Sequence, residues 1–202
     1  MLAVAHACQA GRINAGIVLV LSDRADAPGL AAALGLGLPA AAIDASNFVS
    51  RDRFEAALEQ PIDRSGAELL LLAGFMRILS DSFVQRYRGR LLNIHPSLLP
   101  KHKGLHTHRR ALEAGDRAHG ASVHFVTAEL DGGPVICQAR VAVRSGDTEQ
   151  SLAARVLEQE HRLYPFAVGL VADGRLELKG DGIVLDGQAL RAPLEVDHSE
   201  QP

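Results

Sequence analysis

The stretch "LLNIHPSLLP", residues 91 to 100, joins an apolar run to an asparagine, a histidine and a proline. Leu91 to Ile94 are predicted to form a buried strand, and Pro96 cannot extend it because proline has no N–H for the ladder. We therefore expect His95 at the mouth of this strand, with Asn93 two residues earlier on the same side.

Helical and strand patterns alternate on both sides of this stretch. They predict an α/β fold with a mostly parallel twisted sheet, helices on both faces and an antiparallel C-terminal part. The predicted strands cover residues 16–22, 41–45, 68–74, 91–95, 120–127 and 134–143. The predicted helices cover residues 29–34, 50–60 (ending before Pro61), 80–89 and 106–114, and a long helix after a capping box of Asp147 and Gln150. A hairpin over "RLELK" and "GIVLDG" completes a single domain of residues 1–190, and residues 191–202 are expected to form a flexible tail.

Composition limits the functional classes. The 202 residues suffice for one α/β domain, and 21 basic against 24 acidic side chains leave a formal charge of −3, without the basic surface of a nucleic-acid binder. No apolar run is long enough to span a bilayer, and the start does not have the pattern of a signal peptide. Two cysteines suit a reducing compartment. We expect a cytoplasmic protein that acts on small molecules, without nucleic-acid or membrane partners. Its oligomeric state is not determined by the sequence, and a homodimer is compatible with it.

Three polar residues are predicted at strand ends or adjoining loops: Asn93, His95 and Asp131, the last in "ELDGGPV", where glycines and a proline force a turn. In open α/β sheets the ligand crevice lies beyond the carboxyl ends of the strands. An amide donor, an imidazole and a carboxylate suit an addition at a carbonyl carbon, and a carboxylate beside the imidazole favours its charged form. From spacing alone, a histidine and an aspartate that merely satisfy turns are the favoured interpretation.

Longer blocks extend this pattern: "GFMRIL" (74 to 79), "NIHPSLLP" (93 to 100), "GLHTHRRALEAGD" (104 to 116), "HGASVHFV" (119 to 126) and "LDGGPVI" (130 to 136). In order and spacing they resemble the phosphoribosylglycinamide formyltransferase family, from about residue 1 to 187. The resemblance implies a Rossmann-like formyltransferase fold. It also implies transfer of a formyl group from 10-formyltetrahydrofolate to the amine of N1-(5-phosphoribosyl)glycinamide in purine (IMP) synthesis, with no metal and no covalent enzyme intermediate.

The resemblance also implies residue roles. Asn93 would hold the formyl oxygen as it becomes an oxyanion, His95 would protonate the leaving folate nitrogen, and Asp131 would support the charged imidazole and place a water. The implied folate contacts are Arg51, Met76, Arg77, Ile78, Leu79, Asn93, Thr127, Ala128, Glu129, Leu130 and Asp131. Met76 would also contact the ribonucleotide. Without the resemblance, Arg51 reads as a solvated charge at a helix start.

Glu160 falls on the apolar stripe of the long helix, which Leu152, Val156 and Leu163 form. A carboxylate that faces inward needs a partner, because unpaired buried charge is costly. A position at the rim beside an arginine is the alternative from the residues. The resemblance implies that Glu160 binds hydroxyl groups of the ribonucleotide.

Two other interpretations of the polar residues are weaker. His102, His106 and His108 have spacings that can bind zinc, but no matching cysteine or acidic ligand set lies nearby in the sequence. Ser122, His124 and Asp131 invite a catalytic-triad interpretation, but no G-x-S-x-G elbow surrounds Ser122.

Related functions also remain as alternatives. Methionyl-tRNA formyltransferase would add a basic domain after this one, and formyltetrahydrofolate hydrolase an extra domain before it. The family's first strand and phosphate-binding loop of the type "SGxGSN" have no counterpart in the sequence. We therefore expect the native protein to carry an N-terminal extension, and an inactive or truncated homologue is the alternative.

Overall fold

The computed structural model of the chain describes residues 1–196. The α-helices are α1 (Leu2–Gln9), α2 (Pro28–Gly35), α3 (Arg51–Ser65), α4 (Asp81–Arg86), α5 (Thr107–Glu113) and α6 (Glu149–Ala172). The strands are β1 (Val20–Ser22), β2 (Ala40–Ala42), β3 (Leu70–Leu72), β4 (Leu91–His95), β5 (Ala118–Phe125), β6 (Val135–Ala142), β7 (Leu176–Lys179), β8 (Gly182–Leu185), β9 (Gln188–Ala189) and β10 (Leu194–Glu195). A short 3-10 helix spans Ala45–Asn47.

The central sheet has five strands in the order β10-β6-β5-β4-β3. Its outer pairs, β3 with β4 and β6 with β10, are parallel, whereas β5 runs antiparallel to both β4 and β6. A separate parallel pair joins β1 to β2, and β7, β8 and β9 form an antiparallel sheet. The α/β class and the antiparallel C-terminal part are thus confirmed, with a central sheet that mixes both pairings.

Alternate residues of β4 pack into different hydrophobic clusters. Leu92 belongs to the larger cluster with side chains of α1 and α6, and Leu91 to a second cluster with Phe54 of α3 and side chains of α4. Helices therefore cover both faces of the sheet, as the sequence predicts. Because side chains alternate along a strand, Asn93 and His95 project on the face of Leu91.

Three elements differ from their sequence-based predictions. The strand expected over residues 16–22 begins only at Val20, and the strand expected over residues 68–74 spans only Leu70–Leu72 as β3. The helix expected to end before Pro61 continues to Ser65. A proline removes only one helical N–H, while Ile62 beyond it packs against the second cluster. The helix ends at Gly66, whose φ of +67° suits a residue without a Cβ.

The start of α6 uses a different cap from the predicted one. Thr148 and Ser151 form the capping box, with each side chain bonded to the other's backbone N–H, so the expected pairing of Asp147 with Gln150 is wrong. Asp147 instead accepts a hydrogen bond from Nη1 of Arg155 at 2.9 Å.

The predicted hairpin is present as β7 and β8. The segment expected to be a flexible tail contains β10, and Val196 N donates to Gln138 O at 2.9 Å. Residues 197–202 lie outside the described part of the chain. Within residues 1–196, no helix has both the length and the apolarity that a membrane span needs.

Candidate active site

The loop after His95 is held in place by buried side chains of the two neighbouring strands. Ser122 Oγ on β5 donates to Ser97 O at 2.6 Å and accepts from Leu99 N at 3.0 Å. Gln138 Nε2 on β6 donates to Leu99 O at 2.9 Å. These bonds satisfy loop groups that would otherwise be buried without partners. Ser122 is therefore committed to the loop, which argues against its role as a nucleophile.

The structure brings His95 and Asp131 together at the end of β4. His95 is 6% exposed, and its Nδ1 lies 3.5 Å from Asp131 Oδ2. Its other ring nitrogen, Nε2, lies 3.0 Å from His102 O. Both ring nitrogens thus face hydrogen-bond acceptors, the carboxylate of Asp131 and the backbone carbonyl of His102.

Asp131 lies in a tight turn that aims its carboxylate into the site. Its φ of +46° lies in the left-handed region, and its Oδ2 accepts from Gly104 N at 2.8 Å. Two residues later, a Cβ on Gly133 would lie 1.9 Å from Phe125 O, so only glycine permits this approach of the turn to β5. The "DGGP" pattern therefore places the carboxylate opposite the end of β4.

Asn93 joins the same cluster through a residue that the sequence analysis considered only as a triad member. Asn93 Nδ2 lies 3.2 Å from Nε2 of His124, which lies 3.7 Å from Asp131 Oδ1. His124 is 2% exposed, and burial, the main cause, lowers its pKa. No local sequence signal reveals this role of His124, because it depends on the β4–β5 register, in which Asn93 pairs with His124.

A cavity of about 470 Å³ lies beside the loop after β3. Its lining includes Arg51, Met76 to Leu79 and the aromatic rings of Phe54 and Phe75. Met76 is 76% exposed at this cavity. The structure therefore brings together one group of the expected folate contacts around a single cavity with both aromatic and charged lining residues.

Polar contacts hold the walls of this cavity. The guanidinium of Arg77 donates from Nε to Asp23 Oδ2 at 2.7 Å and lies 5.5 Å from the ring centre of Phe54. The carboxylate of Glu55, 4% exposed, accepts from Ser80 N at 2.7 Å and from the Ser80 hydroxyl. The Arg51 side chain, in contrast, lies exposed at the first turn of α3.

The second group of expected folate contacts, residues 127–130, is absent from the lining of that cavity. Thr127 lines a different cavity of about 410 Å³, together with Gly132 and Pro134. Glu129 Oε1 pairs with Lys103 Nζ at 2.7 Å, next to the bond from Gly104 N to Asp131. These contacts attach the 127–131 loop to the loop that follows His95.

Glu160 is half-buried on α6, and burial raises the pKa of its carboxyl to about 7. This agrees with an inward-facing carboxylate. One turn later, Tyr164 Oη lies 2.9 Å from Leu72 O and 3.1 Å from Leu92 O. The hydroxyl of Tyr164 therefore attaches this side of α6 to the end of β3 and to the first residues of β4.

Two of the three histidines whose spacing can bind zinc have other side-chain partners. His102 Nε2 lies 2.7 Å from Asp116 Oδ2, His108 Nδ1 lies 3.1 Å from His119 Nε2, and His106 is exposed. In the described part of the chain, no three His, Cys, Asp or Glu side chains are placed to hold a metal ion together.

Comparison with known proteins identifies the family of this chain. The family model for formyl transferases matches residues 1–168. The chain belongs to the formyl transferase family. This formyl transferase is 52% identical over 188 residues to the phosphoribosylglycinamide formyltransferase of Escherichia coli (strain K12), with 93% of the chain and 89% of the relative covered. It is 43% identical over 187 residues to the enzyme of the same name from Haemophilus influenzae, covering 93% and 88%.

Solved structures agree. The phosphoribosylglycinamide formyltransferase of Coxiella burnetii matches the formyl transferase described here with a TM-score of 0.92 at 45% sequence identity, covering 96% of this chain and 92% of that one. The predicted family and the predicted formyltransferase fold are both confirmed.

Proposed function

We propose that this formyl transferase is a phosphoribosylglycinamide formyltransferase, which transfers the formyl group of 10-formyltetrahydrofolate to the amine of N1-(5-phosphoribosyl)glycinamide in purine synthesis. The observation that carries the proposal is the meeting of an amide, an imidazole and a carboxylate at the end of β4, with His95 Nδ1 3.5 Å from Asp131 Oδ2. The names of its relatives support the choice of acceptor.

The site residues have complementary tasks in this reaction. Attack by the substrate amine places negative charge on the formyl oxygen, and an N–H of Asn93 donates to that oxygen. His95 gives a proton to the leaving folate nitrogen as a general acid. Asp131, whose Oδ2 lies 3.5 Å from His95 Nδ1, helps to orient the imidazole and to place a water that takes up the proton lost by the attacking amine.

The cavity beside β3 fits the folate co-substrate, which supplies the formyl group when bound. Its aromatic walls suit a flat heterocyclic ring, and the exposed guanidinium of Arg51 suits the carboxylates of a glutamate tail. Exposed apolar side chains there, including Met76 and Ile78, would be covered by such a ligand. We assign Arg51, Met76 to Leu79 and residues 127–131 to the folate, with no metal required.

The ribonucleotide is assigned to Glu160 and Met76. The half-buried carboxylate of Glu160 can accept hydrogen bonds from ribose hydroxyl groups. These bonds would replace the hydrogen bonds to water that the carboxylate loses through burial. We further propose that residues 1–190 act as one formyltransferase domain in the cytoplasm. Its ligands would be small molecules, with neither nucleic acid nor a membrane as partner, and a homodimer is its proposed assembly.

The test is formyl transfer by the protein as its gene encodes it, with glycinamide ribonucleotide as acceptor and 10-formyltetrahydrofolate as donor. Asn93→Ala and His95→Ala should each lower turnover on the order of 10²-fold, because oxyanion and proton-transfer support are lost. The matched controls are Asn14→Ala and His161→Ala, whose native side chains are exposed, and both should turn over normally.

Other outcomes would contradict the proposal. Release of formate without an acceptor would indicate a formyltetrahydrofolate hydrolase, and formylation of methionyl-tRNA would indicate a methionyl-tRNA formyltransferase. Absence of every activity would indicate a non-catalytic homologue. If Asn93→Ala or His95→Ala weakened folate binding while bound substrate turned over normally, the assigned roles would be wrong.

A further inference from the structure

His124 lies directly beneath the proposed oxyanion donor. It is on β5, paired with Asn93 of β4, and its side chain is 2% exposed. Its Nδ1 lies 2.9 Å from Phe125 O. A carbonyl oxygen can only accept a hydrogen bond, so Nδ1 must carry a proton.

The opposite ring nitrogen is therefore an acceptor when the ring is neutral. Burial favours the neutral ring, since it lowers the pKa of His124. Nε2 then presents a lone pair to the amide nitrogen of Asn93 at 3.2 Å. The carboxylate of Asp131, 3.7 Å from the same nitrogen, is beyond hydrogen-bond distance.

This lone pair determines which way the Asn93 amide points. With Nδ2 towards His124, one N–H donates to Nε2. With the amide rotated by half a turn, its oxygen would face the lone pair, and two acceptors would repel each other. The terminal torsion of asparagine is broad and roughly two-fold, so the side chain itself supplies little preference between these orientations.

We propose that His124 is a positioning residue that holds the Asn93 amide with its second N–H directed at the formyl oxygen. The proposal rests on the proposed function, since it assumes that Asn93 donates to that oxygen. His124 itself touches no reacting atom. Its Phe125 bond selects the tautomer, the tautomer orients the amide, and the amide is ready before charge develops on the substrate.

Variants at position 124 separate this role from packing. In His124→Gln, the amide oxygen can reach the position of Nε2 and accept from Asn93. His124→Asn can keep the Phe125 bond, but its shorter side chain does not reach Asn93. His124→Leu removes both bonds. We expect Asn and Leu variants to lose about 10-fold in kcat with both KM values within about 3-fold, and the Gln variant to recover most of the loss.

A double-mutant cycle tests the coupling. In the Asn93→Ala background, His124→Leu should change kcat by less than about 2-fold, because the amide that it orients is gone. Additive losses, equal losses in the Gln and Leu variants, or a rise in KM without a change in kcat would each overturn the proposal. Thermal unfolding of every variant identifies any loss due to misfolding, and the Gln variant remains informative if Leu does not fold.

A spectroscopic measurement does not depend on the reaction. Nitrogen-15 spectra of the ligand-free protein should show His124 neutral with its proton on Nδ1, and a coupling across the bond from Asn93 Nδ2. A proton on Nε2 would overturn the proposal even in an active enzyme. Failure of the wild-type protein to transfer formyl groups would instead refute the proposed function, so the two failures are distinguishable.

Discussion

The stability of the protein in acid tests quantitatively whether burial keeps His119, a histidine on β5, neutral. Its side chain is 1% exposed, and its Nε2 lies 3.1 Å from His108 Nδ1. Burial, helped by repulsion from His108 and His102, lowers the pKa of His119 from 6.5 to about 4. In the unfolded chain the ring takes up a proton near pH 6.5, whereas the folded protein resists protonation down to about pH 4.

The linkage between proton binding and folding gives the sign and the size of the change in the free energy of unfolding with pH. The unfolded state binds more protons between these two pKa values, so stability is fully present above pH 6.5 and falls as the pH decreases towards 4. The difference in pKa corresponds to about 3 kcal/mol in the free energy of unfolding, of which about 2 kcal/mol is lost by pH 5.

The perturbation is His119→Phe, which keeps an aromatic ring and removes the titration. The lost bond to His108 lowers stability at pH 8. The stability deficit of the variant relative to wild type should then shrink by about 2 kcal/mol at pH 5. Only the wild-type protein contains the histidine with the depressed pKa, so only wild type loses this stability in acid. Urea unfolding followed by circular dichroism at pH 8, 7, 6 and 5 measures this difference.

His161→Phe is the matched control, because His161 is exposed on α6. Its difference from wild type should be the same at every pH. A deficit of His119→Phe that stays constant between pH 8 and 5 would refute the argument that burial keeps His119 neutral.

Three further variants test α6 and the rim of the proposed folate cavity. Tyr164→Phe should lower the free energy of unfolding by about 1–3 kcal/mol in urea titrations, because the carbonyl groups of Leu72 and Leu92 lose the one buried hydroxyl proton that they share; an unchanged midpoint would contradict this. Glu160→Gln should gain stability over wild type as the pH rises from 4.5 to 7, by up to about 3 kcal/mol, since the raised pKa of Glu160 makes its ionisation costly in the fold. The same variant should raise the KM for the ribonucleotide about 10-fold, and an unchanged KM would remove Glu160 from the substrate site. Arg51→Gln should raise the KM for the formylfolate about 3- to 5-fold with kcat unchanged, whereas Arg53→Gln, an equally exposed control on α3, should change neither.

The elements that sequence reasoning located best have strong local signals. The apolar run of β4 ends at a proline, and Ser80 caps α4 as its residue type predicts. The errors occur where distant contacts decide. Helix α3 passes through Pro61 because Ile62 is packed by the second cluster, and β10 forms because Gln138 supplies a partner for its backbone. No local pattern contains that information.

Local sequence signals also located only some of the residues of the candidate site. Asn93 and His95 could be placed from the end of a strand, and Asp131 from a turn, but spacing alone did not show that they meet. Family resemblance supplied their roles. His124 had no such signal, because its function depends on the strand that lies beside it.

The sequence by itself therefore determined the α/β class, the strand that carries the site and the family, since each is written in local periodicity or in long contiguous blocks. Only the tertiary structure decided which side chains face one another. The β4–β5 register sets Asn93 against His124, 31 positions further along the chain, and the turn at Asp131 brings a carboxylate to both histidines. Hydrogen bonds act over about 3 Å, so they depend on that register rather than on the order of residues.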